Sequence, residues 1–386
     1  MGKNLDKSNQ FLYIVIPANM EFTMKRSGFL TSLVLIITIV AVFPAYAALS
    51  VDVTFENTDL QTALGGPTGP IATQVSSELA KYSYVPDLAR GFGNASTYAS
   101  HAATLRGYQG YSIFGISIGS MVAVQAPNGD PAFYEDMSDE LDNGDIYAGV
   151  GITPMVIQAG INLGFILDGL YLSFAFGKYH INVDNDDQKI DHDENLIGFN
   201  VAYQLLSNKS ILTNLLVWRG LTVQSGLIHY NNISTFYQKL DKINDSASVP
   251  TIPANVTYTI DPSVDFEIET KGDVIPVEIY SAIRIFYILN IGVGGGFDYV
   301  RRGETSVSLN SAGDAVITGD DVGGTLVGQK GKITVDADTS GIDSDAFRAK
   351  ILANIGLSVG PVFIDVPVSY YLDNGYAVGI TAGCVW

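Results

Sequence analysis

Gly375-Tyr376-Ala377-Val378-Gly379-Ile380-Thr381-Ala382-Gly383-Cys384-Val385-Trp386 closes the chain, and its periodicity decides the fold. Tyr376, Val378, Ile380, Ala382, Cys384 and Trp386 fall on one face of an extended strand, and the small residues between them fall on the other. Asp373-Asn374-Gly375, just before, carries hairpin-turn chemistry. Residues 362–372 alternate in the same way, Gly360-Pro361 turns the chain again, and residues 351–359 form a third strand.

The pattern recurs at 114–124, 155–165, 170–176, 197–205, 221–227, 277–285 and 291–299, which makes ten strands. A ten-residue strand rises about 33 Å and, tilted near 40°, covers about 25 Å of membrane height. The competing reading is a secreted β-sandwich, whose strands are nearer five or six residues. Placement of charge separates the two readings. Glu278, Arg284, Asp298, Lys350 and Asp365 all lie opposite the apolar face. That is expected where Arg or Lys against lipid costs roughly 2–4 kcal/mol at mid-membrane. The spacing therefore predicts an all-β fold: a transmembrane antiparallel β-barrel of about 10–14 strands over residues 111–386. The lumen-facing candidates are Glu278, Tyr280, Arg284, Asp298, Asp365, Gly292, Gly294 and Gly296.

The N-terminus reads as an address. Met24-Lys25-Arg26 precedes an apolar run from Phe29 to Val42 and then Ala45-Tyr46-Ala47, the three parts of a secretory signal peptide. Residues 24–47 are read as that signal, with cleavage between Ala47 and Ala48, and residues 1–23 as an extension ahead of a start at Met24. The 386-residue chain carries 40 acids against 21 bases. Removing residues 1–47 takes away four bases and two acids, leaving a net charge of −21. Such a surface argues against nucleic acid as a partner. One cysteine, Cys384, excludes an intrachain disulfide.

Short links at 167–169, 286–289 and 360–361 alternate with long polar stretches at 126–150, 184–194, 232–273 and 303–345. Short periplasmic turns and long outer loops would place both ends of the barrel in the periplasm. Residues 206–219 break this rule and are read as a link with a short helix around Ile211–Leu216. Residues 48–110 hold a short strand at 49–55 and a helix from Ile71 to Tyr82 that ends before Pro86. They form either a partly helical plug or a small periplasmic segment. The row Gly292, Gly294, Gly296 favours a plug, since a wall stripped to glycine leaves room for a helix about 10 Å wide.

Signal peptide, alternating strands and a terminal aromatic resemble bacterial outer-membrane β-barrel proteins. In those proteins the last strand is the signal read by the barrel-insertion machinery; here Tyr376, Val378, Ile380 and Trp386 match it. Gly91-Phe92-Gly93-Asn94-Ala95 and Ser100-His101-Ala102 ahead of the first barrel strand resemble the hatch of outer-membrane long-chain fatty acid transporters. Ser100-His101-Ala102 stands where that family has Asn-Pro-Ala.

No G-x-S-x-G elbow, H-E-x-x-H or P-loop occurs, so no enzymatic activity is expected. No cofactor and no metal site is expected either. The acids at 184–194 lack the glycine of a calcium loop, Lys189 taking its place, and read with those at 130–145 as a solvated outer face. The expected function is passage of small, apolar molecules across the outer membrane through a plugged lumen. The alternative is a structural or adhesin-like barrel that acts through its acidic outer loops. Expected partners are outer-membrane lipid, the insertion machinery and a small apolar ligand.

Overall fold

A computed structural model describes residues 48–69, 72–73, 85–108, 111–126, 148–184, 188–212, 215–239, 242–249, 254–321 and 323–386. The signal segment, the extension before it and the acids at 130–145 lie outside them. Strands β1 (Ala48–Phe55), β2 (Phe114–Gln125), β3 (Gly149–Asn162), β4 (Leu170–Asp184), β5 (Gln188–Leu206), β6 (Lys209–Leu212) and β7 (Leu216–Lys239) are followed by β8 (Ile243–Val249) and β9 (Ala254–Ile285). Then come β10 (Leu289–Asp320), β11 (Lys330–Asp343), β12 (Phe347–Val359), β13 (Val362–Tyr371) and β14 (Gly375–Val385). Helices α1 (Thr58–Leu64) and α2 (Val85–Ala99) precede β2.

All described pairings are antiparallel, and ten strands close a ring in the order β2-β3-β4-β5-β7-β9-β10-β12-β13-β14. The seam joins β14 to β2, from Gly375 opposite Gln125 to Val385 opposite Gly115. At its end the Trp386 backbone N–H donates to Phe114 O at 2.9 Å, and the two rings stack at 4.5 Å. Closure leaves no free edge within the ring.

The ring is inside-out relative to a soluble protein. Phe174, Val293, Ile351 and Ile380 are 53–63% exposed, whereas Ser117, Glu278, Asp298 and Lys350 are 0–2% exposed. An apolar exterior around a polar interior is stable only where hydrocarbon is the outer solvent. Phe297 stacks on Phe347 at 4.8 Å and Tyr370 packs on Tyr376 at 5.2 Å near one rim. Phe114 and Trp386 mark the other, giving the aromatic girdles of a membrane barrel. Ile380→Arg is accordingly expected to cost roughly 2–4 kcal/mol of insertion. The assay is heat-modifiable gel mobility; unchanged folding yield would contradict the lipid-facing assignment.

Three expectations are corrected. Residues 206–219 contain no helix around Ile211–Leu216 among the described residues; β6 folds back on the start of β7, with Lys209 opposite Trp218. The polar stretches at 184–194, 232–273 and 303–345 are largely strand. β9 and β10 stay paired from Ile285–Leu289 out to Val256–Asp320, far beyond the lipid band. Above lipid the outer face is wet, so its apolar signal disappears although the backbone ladder continues. Finally, residues 85–99, for which no helix is read from the sequence, form α2. Pro86 sits in the first turn of α2, where its missing N–H costs nothing. Of the expected helix at 71–82, only Ala72 and Thr73 are among the described residues, and both are helical.

The extended strands build a sheet in the order β1-β11-β10-β9-β8 at the long-hairpin end. Val51, Val53 and Phe55 of β1 bury one face of it with Leu60 and Leu64 of α1, Ile317 of β10 and Ile333 and Val335 of β11. The opposite face carries the exposed acids Asp265, Glu267, Asp336 and Asp338. The described residues ahead of β2 thus fall in two places: 48–64 pack on this sheet, and 85–108 run inside the ring.

Candidate functional site: the plugged lumen

α2 can enter the ring because it is small where it meets the wall. Gly91 and Ala95 press against Gly149 and Gly151 of β3 so closely that a side chain at either β3 glycine would overlap the helix backbone. Ala95, Tyr98, Ala99 and Ala103 are fully buried. The close approach occurs on β3, not on the row Gly292, Gly294, Gly296. A side chain at Gly292 would strike Asn354, one at Gly294 would strike Tyr280, and one at Gly296 would strike the backbone of Val277. Those glycines make room for neighbouring wall groups, a correction to the expectation that they receive the helix.

Polar contacts hold α2 on several sides. Asn94 Nδ2 donates to Asp345 Oδ2 at 3.3 Å, and the Asp345 N–H donates to Asn94 Oδ1 at 3.0 Å. The hydroxyls of Thr97 and Tyr230 are 3.1 Å apart. Tyr98 donates to Gln125 Oε1 at 2.6 Å and stacks on Tyr371 at 3.7 Å. After Ala99 the chain leaves the helix through Ala103, at φ 64°, whose carbonyl accepts from Ser117 Oγ at 2.7 Å.

Below the helix lies a buried ion cluster. Arg106 donates through Nε and a terminal nitrogen to the two Glu278 oxygens, both at 2.6 Å. Lys350 Nζ lies 2.7 Å from Glu278 and 2.6 Å from Asp298. His101 Nε2 is 2.9 Å from Asp298. Gln224 donates to Glu278 at 2.6 Å, and Tyr371 donates to Asp298 at 2.8 Å. Two carboxylates face two cations, so the group is charge-balanced without an ion. His101, Glu278 and Asp298 could together ligate a metal by distance. Lys350 fills the position between the two carboxylates and supplies the positive charge itself. Lower still, Leu105 N–H donates to Gln158 at 3.2 Å, and Tyr108 stacks on Phe363 at 4.0 Å.

The lumen-facing candidates divide accordingly. Glu278 and Asp298 belong to the cluster, and Asp365 accepts from Asn354 Nδ2 at 2.9 Å. Tyr280 is buried in the wall. Arg284, opposite Asn290 near the short-turn end, is half-buried and stands apart from the cluster. Lys350, Gln224 and Tyr371 on the wall, with His101 and Arg106 on the plug, complete the site. Two wall carboxylates beside a single wall lysine were the available sign that a cation had to come from elsewhere. On the last strand, Val378, Ile380 and Trp386 face outward and Tyr376 packs on Tyr370. Ala377 points inward into the cluster formed by Tyr98, Ala99 and Ala102. Ala377→Arg is therefore expected to dislodge the N-terminal segment while sparing the lipid face. Protease cleavage between residues 85 and 108 checks this, and wild-type resistance would contradict it.

Comparison with solved structures finds outer-membrane β-barrels. CarO of Acinetobacter baumannii is 16% identical, with 57% of this chain and 96% of that chain covered and a TM-score of 0.26. The translocator domain of the autotransporter NalP from Neisseria meningitidis is 8% identical over 76% and 100%, with a TM-score of 0.28. The Ralstonia pickettii toluene transporter TbuX is 10% identical over 77% and 99%, with a TM-score of 0.25. Likeness at this level carries no argument about what this chain does. No curated protein matches. The fatty acid transporter resemblance finds no family match; the family that matches is another one. Its model, described as Lsa36-like, covers residues 45–386, and the protein belongs to the Lsa36-like family.

Proposed function

We propose that the protein is an outer-membrane barrel that works at the cell surface: the ring anchors it, its own N-terminal segment closes the lumen, and the β1-β11-β10-β9-β8 sheet is a contact platform outside. The observation that carries this reading is the β9–β10 ladder, which runs on through two register shifts and raises a sheet with its own apolar core beyond the lipid band. Its open face sets Asp265 and Asp336 on either side of Asn310, and Glu267 and Asp338 on either side of Ser308. A face so charged suits a partner with a basic surface and gives salt-sensitive association. Lipid surrounds the ring, and the insertion machinery reads the last strand.

The test uses cells expressing the full chain with an epitope tag placed just after the signal. Antibody should reach the tag on intact cells, and the purified barrel should carry no open-channel current. Replacing the four acids by Asn and Gln should abolish salt-sensitive binding to a basic protein such as lysozyme. An inaccessible tag together with steady current would overturn the reading. A second reading, passage of small apolar molecules, is favoured by one feature: the lower plug is held by ionic and hydrogen-bonded contacts that water can replace. Under it, current should appear when those contacts are broken.

A further inference from the structure

Where the strands leave the lipid band toward the long-hairpin end, one rung of inward-facing residues crosses the wall. Tyr179 faces Glu194, Glu194 faces Asn232, and Asn232 faces Thr270 in the strand register. This rung lies against α2, since Thr270 Oγ1 donates to Ser96 Oγ at 3.0 Å. Glu194 is 3% exposed, and neither of its carboxylate oxygens has a hydrogen-bond partner among the described residues. Asn232 Oδ1 is buried and unpartnered as well. The buried Thr153 hydroxyl of β3 is the neighbour that comes within hydrogen-bonding reach of the Glu194 carboxyl.

Buried polar atoms in native proteins find partners, and a buried carboxylate needs a counter-charge. Each wall oxygen here has a lone pair to give, and the cations of the Arg106–Glu278 cluster are engaged with other carboxylates. A carboxylate, an amide carbonyl and a hydroxyl are hard oxygen donors, with no sulfur among them. That donor set suits Ca²⁺, which fills its remaining positions with water. We propose that Glu194, Asn232 and Thr153 hold a hard divalent cation, of the Ca²⁺ class, between the wall and α2. The ion pins the N-terminal segment from the long-hairpin end, above the ion cluster that holds it from below.

The experiment titrates the refolded mature chain in detergent with Ca²⁺ by calorimetry and with Tb³⁺ excited through tyrosine, Tyr179 lying in the rung. The expected result is one chelator-reversible site per chain. Glu194→Gln should weaken Ca²⁺ binding at least tenfold, and Asn232→Asp, which adds a second carboxylate, should tighten it. Asp191→Asn with Asp193→Asn, which removes exposed acids from the same strand, should leave the site intact. Absence of binding would overturn the proposal and mean that Glu194 is simply protonated. Binding abolished by the Asp191/Asp193 pair but unchanged by Glu194→Gln would overturn it too. If Glu194→Gln fails to refold, Asn232→Ala decides in its place: weakened binding supports the site and wild-type binding refutes it.

Discussion

Glu278→Leu should lower the stability of the folded barrel by about 3–5 kcal/mol, the usual penalty for removing one partner of a buried ion pair. Glu278 accepts from Arg106 twice, from Gln224 and from Lys350, and its side chain is fully buried. Its loss leaves Arg106 without a carboxylate and Lys350 dependent on Asp298 alone. Urea unfolding of the refolded chain, followed by fluorescence, measures the effect. Arg106→Met combined with Glu278→Leu should recover much of the loss, because the stranded charge is then gone as well. A loss below about 1 kcal/mol for the single variant is what an exposed pair gives, and it would contradict the buried cluster.

Gly149→Val should expel α2 and open the barrel. A side chain there would overlap the backbone of Gly91 and Phe92, which cannot yield as the end of a flexible side chain can. Overpacking costs typically 1–3 kcal/mol where neighbours can shift, so a clash with a helix backbone is resolved by displacing the helix. The lipid-facing residues are untouched, so insertion should proceed. Planar-bilayer recording should then show steady current absent from the wild type. Gly295→Ala, where a side chain would meet only Lys350 O at 3.4 Å, serves as the silent control. A closed Gly149→Val channel with normal folding would contradict the packing of α2 on β3.

The ring itself was legible because lipid imposes a two-residue rhythm on every strand that crosses it. Residues such as Ile351, Ile355, Ile364 and Ile380 announce an outward face by being apolar, and the ten strands read from alternation are the ten that close. The rhythm weakens where lipid ends. Residues 303–345 read as loop because Glu304, Ser306, Ser308 and Asn310 face water, although Thr305, Val307 and Leu309 between them are buried. Length was also misleading at 206–219, where a hairpin with exposed Ile211 and Leu212 imitates a helix face. The N-terminal segment was harder. Its composition of Ala, Ser and Gly indicates close packing but not against which strand, and glycines on β3 and β10 were equally available. The register of the ion cluster was out of reach for a related reason: Arg106 and Glu278 are 172 residues apart in sequence and meet only inside the ring.

The central claim is that residues 85–108 lie inside the ring. The most direct measurement is disulfide formation between Asn94→Cys and Asp345→Cys, with Cys384→Ser to remove the native thiol. The Asp345 N–H donates to Asn94 Oδ1 at 3.0 Å, which makes these two positions direct neighbours across the plug and the wall. On a non-reducing gel the folded barrel should cross-link nearly completely under mild oxidation, and chains denatured before oxidation should not. Folded barrels whose two cysteines stay free would place residues 85–108 outside the lumen and contradict the account.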